Sequence, residues 1–506
     1  MAWVEALDKQ HDFDLVIPST ERSLMAFANT ACSENLYRKA VIPNRETLRR
    51  ATNKEDIMQL AGTLGLPVPS SVLVTDASRC SLPFGYPVAV KPVQSKVLVN
   101  EAMLDLRVQY AQSAEELSSI LDALPGLPFQ VQKLVRGKGV GIELLFVHGE
   151  PALHFAHERI HEWPLTGGGS CYRQSVEAPP ALLDYSIRLL KELKWHGVAM
   201  VEWKVDREAG PVLMEINPRL WGSLALAIDA GIDFPKGLLL GAKGEQVQAQ
   251  RKYKVPYYTR DITRDLDWQL ANLRAPRNNP QLLVRPRLQS AAELLRPLVL
   301  QESWDFFDLQ DLGITFRRLG AYFKQKAGVF QRKLTATLRA RYFRYVTHRR
   351  LLAKISHTPK QYKQILFLCY GNICRSPLAA LLAHKALPDR VVQSAGFHEK
   401  ADRSSPRHML TAAALAGIEM ANHRSRTVTS DDIRQADLVF VMDWKNYDRL
   451  IKNFPDAESK ATFLGLFAQA GGMEIEDPYD LRGEPVDAVV QKLALAVESL
   501  RRRLVP

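Results

Sequence analysis

The strongest chemical signal in the sequence is a cysteine separated by five residues from an arginine. Cys369 ends the apolar run ILFLC, and Arg375 precedes Ser376-Pro377 at the predicted start of a helix. A loop of this length can wrap backbone N–H groups around a tetrahedral oxyanion, while the arginine fork and the helix N-terminus supply positive charge. The thiolate form of such an enclosed cysteine can attack phosphorus. The spacing therefore predicts a cysteine-dependent phosphoryl-transfer site.

An acid far downstream completes this predicted site. Cleavage of a phosphate ester needs a proton for the leaving oxygen, and Asp477 lies in the segment GMEIEDPYDLRG, where a proline follows it directly. Tyr479, and Tyr370 within the loop, are predicted to form walls for an aryl phosphate, with simple packing as the alternative for Tyr370. The candidate catalytic residues are Cys369, Arg375 and Asp477.

The run CYGNICRSP and the late DPY resemble the low-molecular-weight protein tyrosine phosphatase family over about residues 363–505. In that family the matching cysteine, arginine and aspartate act as nucleophile, phosphate-binding residue and general acid. The resemblance implies a cysteinyl-phosphate intermediate, no cofactor, and a phosphotyrosine protein or a small phosphomonoester as substrate. It also implies that Cys374 can protect Cys369 as a reversible disulfide. The other residues of the implied phosphate loop are Tyr370, Gly371, Asn372, Ile373, Cys374 and Ser376.

The number and positions of the cysteines help to decide between a phosphomonoesterase and an arsenate reductase-like protein. A related family with the same fold reduces arsenate and relays electrons through two cysteines downstream of the loop. Here no cysteine follows Cys374, so a phosphomonoesterase is favoured and an arsenate reductase-like protein is the alternative. Five cysteines in 506 residues also exclude a disulfide scaffold.

A second set of candidate residues is spread over the first half of the chain. Lys54 and Lys91 could contact phosphates, a short strand at 132–135 could offer backbone groups to an adenine, and two carboxylates with an amide lie on adjoining strands. These groups suit Mg-ATP, because Mg²⁺ prefers hard oxygen ligands. Arg219 would add positive charge beside a transferring phosphoryl group. The predicted magnesium ligands are Glu202, Glu215 and Asn217.

In order and spacing these segments resemble the ATP-grasp superfamily over about residues 15–240, especially carboxylate–amine ligases and the ATP-binding half of carbamoyl phosphate synthase. LMEINPR, followed by GSLALAIDAGIDFP, carries most of the resemblance. It implies ATP and Mg²⁺, an acyl phosphate, and a carboxylate and an amine that the sequence does not name. A nucleotide-binding module that regulates the other half without ligase activity is the alternative. The implied ATP contacts are Lys54, Lys91, Gln132, Lys133, Leu134, Val135 and Arg219.

Three features depart from the ATP-grasp pattern. Gln132 stands where the adenine hinge usually has a glutamate, about 45 residues precede the domain where a complete domain is usual, and the loop after Lys91 lacks the usual glycines. The first two favour the alternative without ligase activity, whereas the intact carboxylate set opposes it. Arg159 could bind a substrate carboxylate or phosphate, and 167–169 could form a lid, with an ordinary loop as the alternative.

Apolar periodicity predicts the elements that would position these residues. Strand-like runs at 14–20, 86–92, 129–135, 142–149, 196–205 and 211–217 alternate with helical stretches, which indicates an α+β half. Residues 252–360 show helical spacing, and from Lys363 strands and helices alternate as in a doubly wound parallel sheet. The expected α/β multidomain chain has a truncated pre-ATP-grasp-like segment (1–45), an ATP-grasp domain (46–245), a basic helical linker (246–362) and a phosphatase-like domain (363–506).

The positive charge is local. The whole chain has a net charge of +12, but 245–362 alone carries +14, and 312–360 holds 13 basic and no acidic residues. A packed linker is the first interpretation of this segment, an anionic membrane surface the second, and nucleic acid the last, because no nucleic-acid motif accompanies it. With 46% apolar residues, no apolar run of 18 residues and no signal-peptide core, the sequence excludes a multi-span membrane protein and predicts a cytoplasmic one, peripheral to the membrane if 312–360 binds lipid.

Overall fold

The computed structural model divides the chain into two compact units, residues 1–323 and 324–506, which we name the N-terminal unit and the C-terminal unit. The described residues are 1–75, 80–94, 96–99, 102–106, 108–123, 128–206, 210–248, 252–279, 281–299, 302–307, 311–468, 472–481 and 484–505. Three residues of the loop after Lys91, at positions 95, 100 and 101, lie outside them. Within the described ranges, no helix combines the length and the apolar character needed to cross a membrane.

The N-terminal unit begins with five short helices, most of which start at a capping side chain. The helices are α1 Ala2–His11, α2 Glu21–Asn29, α3 Glu34–Lys39, α4 Arg45–Thr52 and α5 Lys54–Thr63. Each cap accepts a hydrogen bond from a backbone N–H of the first turn, which a helix start leaves without an internal partner. The capping residues are Thr20, Ser33, Asn44 and Asn53. The strand predicted at 14–20 is wrong: this stretch is irregular, and its proline removes a donor that a strand ladder needs.

A small antiparallel sheet follows and places two candidate residues side by side. Its elements are β1 Ser71–Val74, β2 Val88–Pro92, β5 Gln109–Ala111 and β6 Phe129–Lys133, with the hairpin β3 Lys96–Val99 and β4 Ala102–Asp105 and the helix α6 Ala114–Ala123 beside them in sequence. The strand order is β1-β6-β2-β5. Lys91 lies opposite Gln130, and Ala89 lies opposite Gln132. Lys91 and Gln132 are therefore diagonal neighbours on one face of the sheet.

A seven-stranded sheet forms the centre of the N-terminal unit. Its strands and covering helices are β7 Lys138–Val147, β8 Glu150–Trp163, β9 Gly169–Ser175, α7 Pro180–Glu192, β10 Gly197–Asp206, β11 Gly210–Asn217, α8 Leu224–Ala230, α9 Phe234–Ala242, β12 Tyr258–Arg260 and β13 Glu302–Trp304. The order is β11-β10-β7-β8-β9-β12-β13. On β7, Ile142 and Leu144 belong to the core that includes α7, whereas Leu145 belongs to the core that includes α8 and α9. The alternation of side chains along a strand thus buries both faces of the sheet.

Two strands of this sheet, β12 and β13, come from the stretch 246–362, where the sequence pattern indicates only helices. Each has three residues, which is too short for a periodicity signal. The helices of this stretch are α10 Ile262–Arg274, α11 Arg287–Glu293, α12 Leu312–Tyr342 and α13 His348–His357. His161 of β8 holds α10 and α11 through buried hydrogen bonds, from Nδ1 to Asp265 at 2.6 Å and from Nε2 to Glu293 at 2.9 Å. Pairing offsets the cost of burying these charges.

The C-terminal unit is a doubly wound parallel sheet, as predicted. Its elements are β14 Gln364–Cys369, α14 Arg375–Ala386, β15 Val391–Gly396, α15 Arg407–Leu415, α16 Ser430–Gln435, β16 Leu438–Val441, α17 Trp444–Asn453, β17 Ala461–Phe463 and α18 Glu484–Leu504. The order is β15-β14-β16-β17 with every pair parallel. Ile365 and Phe367 pack on the side of α14 and α18, whereas Leu366 and Leu368 pack on the side of α16 and α17.

Candidate active sites

The loop 369–375 leaves the carboxyl end of β14, between β15 and β16. In a doubly wound sheet the strand order reverses beside such a strand, and ligands bind at the carboxyl ends of the strands at this point. Asn372 has a φ of 51°, a left-handed conformation that asparagine tolerates. Gly396 at the end of β15 touches the loop so closely that a Cβ there would lie 2.8 Å from the carbonyl oxygen of Tyr370. Glycine is therefore required at this position for the loop to close.

The sulfur of Cys369 lies at the centre of this loop and is buried. The backbone N–H of Asn372 donates to Sγ at 3.2 Å, and the hydroxyl of Ser376 lies 3.0 Å from it. Ser376 is in the first turn of α14, whose N-terminus also carries partial positive charge. These groups therefore stabilise negative charge on Sγ, or on an oxyanion bound beside it.

Asn372 organises the loop through its side chain. Its amide nitrogen donates to the hydroxyls of Ser376 and Ser394, both at 3.0 Å, and its Oδ1 accepts from the backbone N–H of Arg426 at 3.0 Å. The backbone oxygen of Asn372 lies 2.7 Å from Nε2 of His423. Asn372 has no exposed surface, so these side-chain and backbone contacts together fix the conformation of the loop.

Arg375 brings two carboxylates to the mouth of the loop. Its Nη1 donates to Asp443 at 2.6 Å and to the carbonyl oxygen of Ile475 at 2.9 Å, and its Nη2 donates to Asp477 at 2.5 Å. Burial opposes the charged form, but Cys369, Asp477 and Asp443 together raise the pKa of Arg375. The three predicted catalytic residues therefore lie together, and Asp443, which sequence reasoning missed, joins them.

Comparison with known proteins agrees with this geometry. The model of the family described as low molecular weight phosphotyrosine protein phosphatase matches residues 364–505. The probable low molecular weight protein-tyrosine-phosphatase AmsI of Erwinia amylovora is 32% identical over 134 residues, which are 26% of this chain and 92% of that protein. The chain belongs to this phosphatase family. The matched residues lie in the C-terminal unit, which therefore contains a low-molecular-weight phosphatase domain, and we name it the phosphatase unit.

Two further relatives match the phosphatase unit. The protein-arginine-phosphatase of Geobacillus stearothermophilus is 34% identical over 142 residues, which cover 28% of this chain and 95% of that protein. The crystal structure of the tyrosine phosphatase Wzb from Escherichia coli K30 in complex with sulphate is 31% identical, with a TM-score of 0.27, and the match covers 28% of this chain and 99% of that one.

Cys374, the second cysteine of the phosphatase loop, differs from Cys369 in its surroundings. Burial and the neighbouring Cys369 raise the pKa of the Cys374 thiol to about 12. Cys374 therefore keeps its proton at neutral pH.

The mouth of the phosphatase loop carries exposed aromatic and basic side chains. Tyr370 is 42% exposed and lies under the guanidinium of Arg449, whose Cζ is 4.2 Å from the ring centroid. Arg403 donates to the carbonyl oxygen of Gly371 at 2.6 Å. Tyr479 is 54% exposed and lines a groove of about 730 Å³. The groove residues are Ile373, Arg403, Ser404, Pro406, Arg407, His408, Thr411, Tyr479 and Asp480.

In the N-terminal unit, the predicted magnesium ligands lie on neighbouring strands. Glu202 on β10 and Glu215 on β11 lie directly opposite each other, and Asn217 donates to Glu215 at 3.1 Å. Burial raises the pKa of Glu202. Burial acts in the same direction on Glu215, but Lys54 and Lys91 outweigh it and lower the pKa of Glu215. Two carboxylates and an amide oxygen at this spacing fit the ligand preference of Mg²⁺.

Arg159, which the sequence offers as a candidate for binding a substrate carboxylate or phosphate, bonds two carboxylates of the protein in this structure. Its Nη2 donates to Glu202 at 2.5 Å, its Nη1 lies 3.5 Å from Glu162, and Nη1 also donates to the carbonyl oxygen of Gly168 at 3.2 Å. Glu202 and the stretch 167–169 are thereby connected through one guanidinium group.

Lys91 and Gln132 form a direct pair at the small sheet. Lys91 Nζ donates to Gln132 Oε1 at 2.6 Å, and burial lowers the pKa of Lys91 to about 8. The buried amide nitrogen of Gln132 has no hydrogen-bond partner among the described residues. In the predicted hinge, Lys133 and Leu134 already donate their backbone N–H groups to the oxygens of residues 70 and 87. Val135 accepts from Lys204 Nζ at 3.3 Å.

Lys54, in the first turn of α5, lies beside the predicted magnesium ligands. Its Nζ lies 3.7 Å from Glu215, and a cleft of about 200 Å³ extends between these residues and Arg219. The cleft residues are Glu21, Leu24, Ala51, Thr52, Lys54, Ile57, Glu215, Ile216, Asn217, Pro218 and Arg219. The structure thus brings Lys54, Glu215 and Arg219 to one cleft, while Lys91 and the hinge lie outside its lining.

The model of the family described as ATP-grasp in the biosynthetic pathway with Ter operon matches residues 135–264. The N-terminal unit therefore contains an ATP-grasp domain. The matched range includes Arg219 and the three magnesium candidates, whereas Lys54, Lys91 and Gln132 precede it.

Proposed function

We propose that the phosphatase unit hydrolyses phosphomonoesters, with phosphotyrosine in proteins as the main class, through a cysteinyl phosphate. The observation that carries the proposal is the meeting of Cys369, Arg375 and Asp477 at one edge of the parallel sheet. Cys369 Sγ attacks phosphorus in line as the bond to the leaving oxygen breaks, and Asp477 gives that oxygen a proton. Water then attacks the cysteinyl phosphate, Asp477 accepts a proton, and phosphate leaves.

Arg375 has two roles in this scheme. Its guanidinium binds two oxygens of the transferring phosphoryl group, and it holds the general acid beside the loop through the bond to Asp477 at 2.5 Å. Asp443 and the carbonyl oxygen of Ile475 fix its other nitrogen. An incoming phosphoryl group can therefore bind Nη2 in place of Asp477, and also Nε, which has no hydrogen-bond partner among the described residues, while Nη1 keeps the side chain in place.

The choice of phosphotyrosine rests on the mouth of the loop. Tyr370 and Tyr479 are both exposed there, and aromatic side chains pack well against an aryl group. Since one relative is named a tyrosine phosphatase and another an arginine phosphatase, the activity assay includes a phosphotyrosine peptide and a phosphoarginine peptide. Faster hydrolysis of the phosphoarginine peptide would overturn the substrate assignment while leaving the cysteine mechanism intact.

The variant Asp477→Asn tests the general acid. We expect hydrolysis of phenyl phosphate to slow by about 10²–10⁴-fold, because the amide cannot protonate the leaving oxygen. Hydrolysis of para-nitrophenyl phosphate should slow much less, since nitrophenolate leaves without a proton. The measurement is kcat for both substrates, with Glu476→Gln as the control because Glu476 is the exposed neighbour. An equal loss on both substrates would mean that Asp477 acts only by positioning Arg375.

We further propose that the ATP-grasp domain binds Mg-ATP and joins a carboxylate to an amine through an acyl phosphate. Glu202, Glu215 and Asn217 would hold the metal, which neutralises phosphate charge when bound. Support comes from the cross-strand placement of the two glutamates and from the buried donor of Gln132 that has no partner in the described part of the chain. Lys54 and Arg219 face the same cleft and supply positive charge for phosphate oxygens.

The depressed pKa of Lys91 makes ATP binding dependent on pH. Below about pH 8 Lys91 is protonated and attracts phosphate, and above it the charge is lost. We therefore expect ATP affinity to weaken by up to about tenfold between pH 8 and pH 9, and Lys91→Arg to remove this dependence because guanidinium stays charged. Binding of a fluorescent ATP analogue with Mg²⁺ measures both. Lys138→Arg, at an exposed surface pair, is the control, and wild-type affinity that stays constant over this range would contradict the role of Lys91.

A nucleotide-binding module without ligase activity is the second candidate for the N-terminal unit. Gln132 favours it, because a glutamine replaces the usual hinge glutamate and its oxygen is already bonded to Lys91. Release of ADP that requires both an added carboxylate and an added amine would establish the ligase. ATP binding without such release, together with phosphatase rates that change with ATP, would establish the regulatory module.

A further inference from the structure

The long helix α12 carries an exposed apolar stripe along one side. Its members recur at intervals of four, three, four, seven, four and four residues, which keeps them within about 100° of one another around the helix. Six of them are between 41% and 69% exposed, and Leu319 is half-buried. The apolar stripe consists of Leu312, Phe316, Leu319, Phe323, Phe330, Leu334 and Leu338.

The helix α12 also carries a high density of positive charge. The 31 residues of α12 include eight lysines or arginines and no acid. Four of the eight lie across the helix from the apolar stripe, three lysines flank it, and Arg341 lies within it. The basic residues are Arg317, Arg318, Lys324, Lys326, Arg332, Lys333, Arg339 and Arg341.

Three residues outside the apolar stripe connect α12 to neighbouring segments. Near its start, Thr315 donates to the carbonyl oxygen of Phe306 at 3.0 Å and Tyr322 donates to Asp267 at 2.8 Å. Near its end, Arg339 bonds Asp448 and lies over Trp444, with its Cζ 4.1 Å from the ring centroid. The stripe is thus not used for these anchoring contacts.

The charge of α12 decides among the partners that an apolar stripe could take. A second copy of the helix would bring eight positive charges against eight more, with no acid in α12 to pair them. A nucleic acid would satisfy the charges but would leave three phenylalanines and four leucines in water. A surface of anionic lipid satisfies both, because it offers headgroup phosphates above an apolar acyl layer.

We propose that α12 lies flat on an anionic lipid bilayer, with the apolar stripe at the boundary between headgroups and acyl chains. The lysines and arginines beside the stripe extend their charged ends to the headgroups. A helix of 31 residues provides about 46 Å of contact. This interaction is separate from the chemistry proposed for either unit.

The test is flotation of the full-length protein with vesicles at low and physiological salt. We expect the protein to float with vesicles of phosphatidylcholine and phosphatidylserine, to stay behind with phosphatidylcholine alone, and to bind less as salt rises. Replacing Phe316, Phe323 and Phe330 by aspartate should lower partitioning by about tenfold or more. Replacing Lys324 and Lys333, which flank the apolar stripe, by glutamate should weaken binding to the anionic vesicles.

Two controls keep the outcome interpretable. Leu415→Asp removes an equally large exposed side chain, 81% exposed on α15, and should float like the wild type. Hydrolysis of para-nitrophenyl phosphate by every variant shows that the phosphatase unit remains folded. If the wild type does not float with anionic vesicles, or if the triple aspartate variant floats as well as the wild type, the proposal is overturned.

The two other partners give distinct results, and either would overturn the proposal. Concentration-dependent dimers that the phenylalanine substitutions abolish, without flotation, would assign the stripe to a second copy of the chain. Retention on nucleic acid that Lys324→Glu with Lys333→Glu abolishes but the phenylalanine substitutions do not, again without flotation, would assign the helix to nucleic acid.

Discussion

Replacement of Cys369 by serine is expected to lower phosphatase activity by at least about 10⁴-fold. A serine hydroxyl needs an adjacent base before it can act as a nucleophile. The groups observed at Sγ are the N–H of Asn372, which can only donate, and the hydroxyl of Ser376. Rates on para-nitrophenyl phosphate and on a phosphotyrosine peptide, each with and without Mg-ATP, measure the effect.

Cys374→Ser is the matched control for this experiment. Its thiol is buried in the same loop, but its raised pKa keeps it protonated, so most of the activity should remain. Near-normal rates in Cys369→Ser, or a loss in Cys374→Ser as large as that in Cys369→Ser, would contradict the assignment of the nucleophile. Wild-type rates that are insensitive to Mg-ATP would show that the phosphatase unit acts independently.

The sequence predicts the phosphatase loop well because its chemistry is contiguous. An apolar strand, a turn and a helix start occupy 364–377, so local structure alone brings Cys369 and Arg375 to one loop. Asp477 lies about 100 residues further on, and before the structure is known it is connected to the loop only by the chemical need for a general acid and by the resemblance to a family. The bond between Asp477 and Arg375 then supplies the geometry.

Residues on neighbouring strands that support the loop cannot be identified from the local sequence. Asp443 follows β16, and Ser394 lies on β15, the two strands that flank β14. Their partnership with Arg375 and Asn372 depends on strand order, which a single sequence does not give. The available signal was weak: an acid directly after the buried run LVFVM, at the edge where parallel strands end.

In the ATP-grasp half, too, the contacts of charged residues between distant strands could be predicted only in part. Glu202 and Glu215 could be predicted as partners because each lies in a clear strand. The bond from Arg159 to Glu202 across the sheet could not be predicted, because it joins strands whose pairing a single sequence does not give. Gln132 stands out only against the family pattern, and the structure adds that its oxygen is bonded to Lys91.

The substitution Arg375→Lys is expected to lower kcat/KM by about 10³-fold or more, although it keeps the positive charge. A lysine is a single point charge and cannot bind two phosphoryl oxygens as a guanidinium does. It also cannot reach Asp443, Ile475 and Asp477 together, as the two terminal nitrogens of Arg375 do. The measurement is kcat/KM for para-nitrophenyl phosphate, together with the inhibition constant of inorganic phosphate.

Arg426→Lys is the control that separates lost phosphate binding in Arg375→Lys from the loss of an arginine–carboxylate ion pair alone. Arg426 makes two hydrogen bonds to Asp432, both at 2.8 Å, outside the phosphate loop. Its substitution should change activity only a few-fold, and the melting temperatures of both variants show how far each fold is weakened. If Arg375→Lys retained both its rate and its inhibition by phosphate, Arg375 would be a structural residue that holds Asp443 and Asp477. A loss of phosphate inhibition at an unchanged melting temperature places Arg375 on the phosphoryl group, because only a ligand contact accounts for that combination.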